Sequence, residues 1–237
     1  MPTQSDTAKE AIRVLRFIQS SFPGNINKTG SGFVGPKAGI VFTSAHVVRD
    51  NAVDANSIKV NGANATIKLI REDIDIAVLS TNDTETSILG KTQPLQLDDE
   101  LMFSGIPMGV TGPSLFTGIL SAHGDKFLPF PKCRLLQING MINSGNSGGP
   151  VFKSGSLEIV GIVTAKYVPL LIEIDKIKDI LRSIPQFPSQ VGIGGIDFSK
   201  FVNLVIQALL TVTGSLRLVQ VGIGYAVPID LFDEKSL

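Results

Sequence analysis

The chain has one cysteine, no tryptophan and two histidines among 237 residues. Each scarcity closes off a class of explanation. Cys133 alone can form no intramolecular disulfide, so the core must hold by packing, and a reducing compartment is the expectation. Two isolated histidines and one thiol cannot supply the clustered ligands of a zinc centre, so no metal and no other cofactor is expected. Lysine plus arginine and aspartate plus glutamate balance at 21 each, which leaves no electrostatic case for a nucleic-acid partner or an anionic membrane. The charge-free run Phe201–Leu216 is sixteen residues long, short of the roughly 20 that a membrane helix needs. Within residues 1–28, Ala8–Ile18 reads as a short amphipathic helix, not as a basic start followed by an apolar run. No export signal is expected there, and the expected location is cytoplasmic.

What is abundant points to β structure. Hydrophobic residues make up 43%, with 24 glycines and 13 prolines, the profile of short strands joined by many turns. Candidate strands are Gly39–Phe42, Ser57–Val60, Ala65–Ile70, Ile74–Leu79, Leu101–Ile106, Leu115–Ser121, Arg134–Ile138, Val151–Lys153, Ile159–Ala165 and Gly222–Pro228. Asn82–Thr86 and Lys126–Lys132 read as loops, His123 as a surface loop residue, and Gly192–Gly195 as a turn whose spacing misses the dinucleotide fingerprint. Between Tyr167 and Val221 the pattern changes. Ile172–Ile184 carries apolar residues at largely helical spacing, Pro185 and Pro188 interrupt it, and Phe198–Leu216 forms a second apolar helical run.

The stretch richest in chemistry is Gly145-Asn146-Ser147-Gly148-Gly149-Pro150. Three glycines around one serine make poor helix or strand but a good loop, because glycine accepts backbone angles that other residues resist. Such a loop can present a hydroxyl and aim its own N–H groups at a nearby point. Acyl transfer needs both a nucleophile and donors for the oxyanion. The plain alternative is an ordinary glycine-rich turn. A serine hydroxyl needs a base, and the base needs an orienting carboxylate. His46 follows Val41-Phe42-Thr43-Ser44-Ala45, an apolar β-type run that ends in small residues, and Asp75 stands in Asp73-Ile74-Asp75-Ile76-Ala77-Val78-Leu79, an acid set into an otherwise apolar strand. Burying such an acid without a partner is costly. Asp73, two residues away on the same strand face, is the competing carboxylate.

The order His46, Asp75, Ser147 resembles that of the chymotrypsin-like serine proteases, and the local wording is similar to their HtrA/Deg branch. Gly30–Val34 resembles its first barrel strand, Thr43–Val48 its histidine loop, Asp75–Leu79 its aspartate strand and Gly105–Gly109 the turn opening its second barrel. Asn143–Pro150 resembles its nucleophile loop, and Gly161–Ala165 and Gly222–Pro228 its last two strands. The resemblance implies a mostly β, two-barrel chymotrypsin-like fold with a helical insertion before the last strand. It implies a serine endopeptidase with Ser147 as nucleophile, His46 as base and Asp75 as orienter, and an oxyanion hole at Gly145, Asn146 and Ser147. It places Met141, Ile142 and Asn143 opposite Ile162, Val163 and Thr164 around the side chain before the cut. No acid stands among them, which argues against arginine or lysine there and for small or aliphatic residues.

The expected organisation is a helical extension over 1–28, barrel one over about 29–92, barrel two over about 98–167 plus 218–237, and an insertion over 168–217. That insertion is longer than the family's usual connection and reads as a helical hairpin packed on the second barrel or used for assembly. It is the expected surface for a regulatory partner or oligomer, alongside a protein or peptide substrate at the cleft. The chain ends at Leu237, nine residues after Pro228, so the PDZ module of HtrA-type proteins is not expected. The family places a switchable active-site loop at Lys126–Lys132. The competing function is a latent or inactive protease-fold scaffold acting through the insertion.

Overall fold

The computed structural model describes residues 2–22, 26–49, 57–90, 95–124, 133–166, 177, 179–183, 192–193, 196–216 and 222–232. Two compact units divide the chain, Met1–Tyr167 with Gly222–Leu237, and Val168–Val221.

The first unit opens on helix α1, Gln4–Arg13, started by a capping box. The Thr3 hydroxyl accepts from the Asp6 N–H, and the Asp6 carboxylate accepts from the Thr3 N–H. Helical spacing continues past Arg13, yet the chain becomes strand β1, Leu15–Phe22, which pairs along its whole length with β2, Ile26–Val34. This corrects the reading of Ala8–Ile18 as one helix and of residues 1–28 as an extension. A continuous ladder to β2 satisfies the backbone of Leu15–Phe22 as fully as a helix would. It also lets Arg16, only 7% exposed, pair with Asp83 beside it.

The remaining strands of barrel one are β3 (Ile40–Ser44), β4 (Ile58–Val60), β5 (Ala63–Arg71) and β6 (Ile76–Ser80). They close antiparallel in the order β1-β2-β3-β6-β5-β4. Between β3 and β4 lies the one-turn helix α2, Ala45–Val48. Barrel two is built from β8 (Glu100–Gly105), β9 (Ser114–Gly124), β10 (Leu135–Gly140), β11 (Pro150–Lys153), β12 (Glu158–Lys166) and β15 (Ile223–Pro228). Their order is β11-β8-β9-β10-β15-β12, closed by pairing of β12 with β11, and the short β7, Ile88–Leu89, adds to β12 in parallel. His123 lies within β9, opposite Leu136, and not in a loop, though its side chain is exposed as expected.

Packing sets these barrels. Phe33 stacks on Phe42 at 5.4 Å, and Phe42 meets Phe232 edge-on at 5.0 Å. One apolar cluster runs from there to Phe152, Ile159 and Ile162 of barrel two, and a second gathers Leu101, Phe103, Leu120 and Ile138. Burying one such side chain is worth about 1.5–3 kcal/mol, against about 0–1 kcal/mol for an exposed pair such as Arg71–Asp73.

The second unit contains the short ladder of β13 (Gly192–Ile193) with β14 (Ile196–Asp197), followed by helix α3, Phe198–Leu216. Of Ile172–Ile184, residue 177 and residues 179–183 are described, and they are helical. The loop read at Lys126–Lys132 lies outside the described residues. No helix among the described residues is long and apolar enough to cross a membrane.

Candidate active site

β3 ends at Ser44 and turns at once into α2, whose second residue is His46. Ser44 pairs with Ile76 at the start of β6, so the residue just ahead of β6 is carried to the histidine turn. That residue is Asp75. It is not in a strand but in a left-handed turn, φ +52°, closing the 3₁₀ turn Glu72–Ile74, a conformation that aspartate enters more readily than most residues. The His46 N–H donates to Asp75 Oδ1 at 2.9 Å, and His46 Nδ1 lies 2.8 Å from Oδ2. The imidazole is 40% exposed and the carboxylate behind it 23%. Asp73 belongs to the 3₁₀ turn and pairs at the surface with Arg71, 2.6 Å away. The turn between the two acids breaks the shared strand face, and the imidazole meets Asp75 alone of the two.

Burial pushes the Asp75 carboxyl up. The hydrogen bond and charge of the His46 ring, the Thr164 hydroxyl and the His46 backbone N–H outweigh it, and the carboxyl lies below its ordinary value. Thr164 was expected to line a pocket beside the substrate, but its hydroxyl donates to Asp75 Oδ2. The reason is a bulge. On β12, Val163 pairs with Ala226 and Ala165 with Tyr225, leaving Thr164 out of the ladder. A bulged residue is re-aimed relative to its neighbours.

The nucleophile loop is held by its glycines. Gly145 and Gly148 have φ of +96° and +89°. A Cβ on Gly148 would stand 2.0 Å from the Ser31 carbonyl oxygen, and one on Gly149 2.1 Å from that of Ser104, so Gly148 is required by both contact and angle and Gly149 by contact. Gly148 donates to the Val163 carbonyl at 2.7 Å, and Val163 donates to the Gly149 carbonyl at 2.9 Å, stitching the loop to β12. Ser147 Oγ donates to the bulged Thr164 carbonyl at 3.2 Å, and among the described residues it makes no hydrogen bond to His46.

The N–H groups of Gly145 and Ser147 donate no hydrogen bond among the described residues, whereas that of Asn146 is engaged with the Asn143 carbonyl at 3.1 Å. Asn146 therefore offers no free amide for an oxyanion. Its fully buried side chain fills the space beside Gly105. The six residues read as substrate-binding separate in the same way. Ile162 and Val163 are fully buried core side chains, and Ile142 is 3% exposed. Met141 is 59% exposed and faces outward, whereas Asn143 is half-buried, with its side-chain oxygen buried and without a hydrogen-bond partner among the described residues. Ile162 and Val163 point to opposite faces of β12, and each face is covered, Ile162 by one apolar cluster and Val163 by the other.

Ser31 escaped the sequence reading as a site residue. It is fully buried, its hydroxyl donates to the Gly145 carbonyl at 2.7 Å and accepts from the Ile106 N–H at 2.9 Å, and its own N–H donates to the Ser147 carbonyl at 2.8 Å. A hydroxyl between Gly30 and Gly32, directly ahead of the apolar pair Phe33–Val34, was its signal. Among the described residues, no group of three or more His, Cys, Asp or Glu side chains gathers to hold a metal.

A family model described as a trypsin-like peptidase domain matches residues 30–162. A probable periplasmic serine endoprotease DegP-like of Brucella suis biovar 1 (strain 1330) is 35% identical over 147 residues, 59% of this chain and 28% of that protein. Serine protease HTRA1A of Danio rerio is 33% identical over 168 residues, covering 65% of this chain and 34% of the relative. The chain thus spans about a third or less of the length of these relatives. The solved structure of an HtrA-type protease AlgW with tripeptide shares the fold with a TM-score of 0.64 at 19% identity, over 97% of this chain and 61% of that one. Deg5 aligns with a TM-score of 0.54 at 24% identity, over 68% of this chain and 83% of its own.

These names overturn one expectation. The cytoplasmic location was inferred from a single cysteine and the absence of an export pattern, but the first relatives are named periplasmic serine endoproteases, which points to the periplasm. A fold with two packed cores needs no disulfide, so a low cysteine count does not identify a reducing compartment.

Proposed function

The chain belongs to the trypsin-like peptidase domain family, and from that premise we propose that it is a serine endopeptidase working through Ser147, His46 and Asp75. The observation that carries the reading is the His46 Nδ1–Asp75 Oδ2 contact of 2.8 Å beside a glycine-held serine loop. In this mechanism the Ser147 hydroxyl rotates from the Thr164 carbonyl toward His46, gives up its proton to Nε2 and attacks the peptide carbonyl. Asp75 holds the imidazole by its Nδ1–H and stabilises the imidazolium. The N–H groups of Gly145 and Ser147 receive the oxyanion; losing one such donor typically costs about 100- to 1,000-fold in turnover. His46 then protonates the leaving amine, and water releases the acyl group from Ser147.

The substrates are polypeptides, cut after small or aliphatic residues. Support comes from the lack of an acid among residues 141–143 and 162–164; with Ile162 and Val163 in the core, discrimination falls to Met141 and Asn143. Residues 168–217 are assigned to regulation or assembly, since none of the site residues lies there. A latent form of the same enzyme is the second reading, favoured by the Ser147–Thr164 hydrogen bond.

Covalent labelling by a fluorophosphonate probe, with Ser147→Ala alongside and mass spectrometry to locate the adduct, tests the assignment. An adduct on Ser147 that is absent from the variant is the expected result. A folded sample that takes up no probe overturns the active reading and leaves the latent or scaffold one.

A further inference from the structure

Besides β2 and β8, whose Ser31 and Ser104 meet it, the nucleophile loop is touched by two further walls. β12 meets it at Ser147 and Gly148, through the carbonyls of Thr164 and Val163. The turn Ile106–Val110 meets it at Ser144 and Gly145. There the Met108 N–H donates to the Ser144 carbonyl at 2.8 Å. A Cβ on Gly145 would stand 2.4 Å from the Ile106 carbonyl oxygen and 2.7 Å from the Met108 nitrogen. Ser31 clamps turn and loop together, accepting from Ile106 and donating to Gly145. The turn is closed on itself by the Val110 N–H donating to the Pro107 carbonyl at 3.1 Å, with Gly109 at φ +85°. This hydrogen-bonded turn presents two large apolar side chains to solvent, Met108 at 66% exposure and Val110 at 50%. Two apolar side chains held out beside a nucleophile loop can gain burial against a bound peptide, and methionine adapts its shape to varied apolar partners.

Resting on the endopeptidase reading, we propose that Met108 and Val110 form an apolar contact for the substrate residues just beyond the cut bond, on the leaving-amine side. The acyl part of the peptide lies along β12 and residues 141–143, and the chain leaves the nucleophile past the other wall. The preferred substrates therefore carry a large aliphatic or aromatic residue in the first two positions after the cut, a chemistry that unfolded polypeptides expose and folded ones bury.

The test uses quenched fluorescent peptides identical up to the cut and differing only beyond it, with leucine, phenylalanine, serine or aspartate in those two positions. Rates are normalised to the fraction of Ser147 that takes up fluorophosphonate, and discrimination is the ratio of kcat/KM between peptides within one protein. The expected ratio of leucine or phenylalanine over serine is about tenfold or more. It falls to near unity in Met108→Ser/Val110→Ser and is retained in Ile119→Ser, which removes an exposed apolar side chain on β9. A wild-type chain indifferent to these positions, or a double variant that keeps the ratio, overturns the proposal while leaving the endopeptidase reading intact. A folded chain that does not label at Ser147 overturns both.

Discussion

Thr164 links three parts of the site at the scale of one residue. Its carbonyl accepts from Ser147, its hydroxyl donates to Asp75, and its place outside the β12 ladder makes both possible. Thr164→Val keeps the shape and removes the hydroxyl, leaving a mostly buried carboxylate one donor short. A hydrogen bond to a charged group is worth about 1.5–3 kcal/mol, so kcat is expected to fall by roughly 10- to 100-fold. KM should move little, because the residue orients Asp75 and does not grip substrate. Steady-state kinetics on one peptide check this, and Thr164→Ser should recover most of the loss. An unchanged kcat would remove Thr164 from the network.

Among the elements, α1 reaches the site through one intermediary. Ser104 Oγ on β8 donates to the Ala11 carbonyl at 2.6 Å, while the Ser104 carbonyl is the oxygen a Cβ on Gly149 would strike. Thr7 anchors the other end, donating to the Ser156 carbonyl at 2.9 Å. Ala11 is fully buried in the apolar cluster, so Ala11→Leu overpacks this seam at a cost of about 1–3 kcal/mol. Ile12, 37% exposed on the other face, should accept lysine within about 0.5 kcal/mol. Urea unfolding of the two variants compares them directly; equal midpoints would show that α1 is not docked in solution.

Two expectations concern the whole molecule. Lys166 on β12 pairs with Gly224 on β15, so the strands flanking the second unit are already antiparallel neighbours. Replacing residues 168–221 by a short hairpin turn should leave the two barrels folded and Ser147 labelled, read by circular dichroism melting and probe uptake. Failure to fold would make the second unit part of the barrels' stability. The other expectation is acid sensitivity. Asp83 is held below its ordinary value by Arg16; at Asp75 and Asp99 burial pushes upward and is outweighed by His46 and by Lys153 with the Gln96 N–H. A carboxyl whose folded pKa is lowered stabilises the fold fully above its unfolded pKa, and that contribution is lost as pH falls through the folded one. Urea midpoints should therefore hold steady with respect to these groups down to about pH 4 and drop below it. Asp83→Asn should show a shallower drop.

Much of this was legible in the chain itself, where the chemistry is local. The glycines around Ser147 suit a loop, and an acid and a histidine in apolar runs demand partners; with the motif wording, the sequence determined the fold family and that His46 would meet a nearby carboxylate. Tertiary structure decided which of Asp73 and Asp75 faces the imidazole, through a left-handed turn that no periodicity reveals. It decided that Leu15–Phe22 is strand, because only a partner strand distinguishes the two ways of satisfying that backbone. It buried Ile162 and Val163 by covering both faces of β12, and turned Thr164 onto Asp75 through a bulge just after Val163. Local backbone preference is written residue by residue; direction and pairing arise only when distant strands share hydrogen bonds.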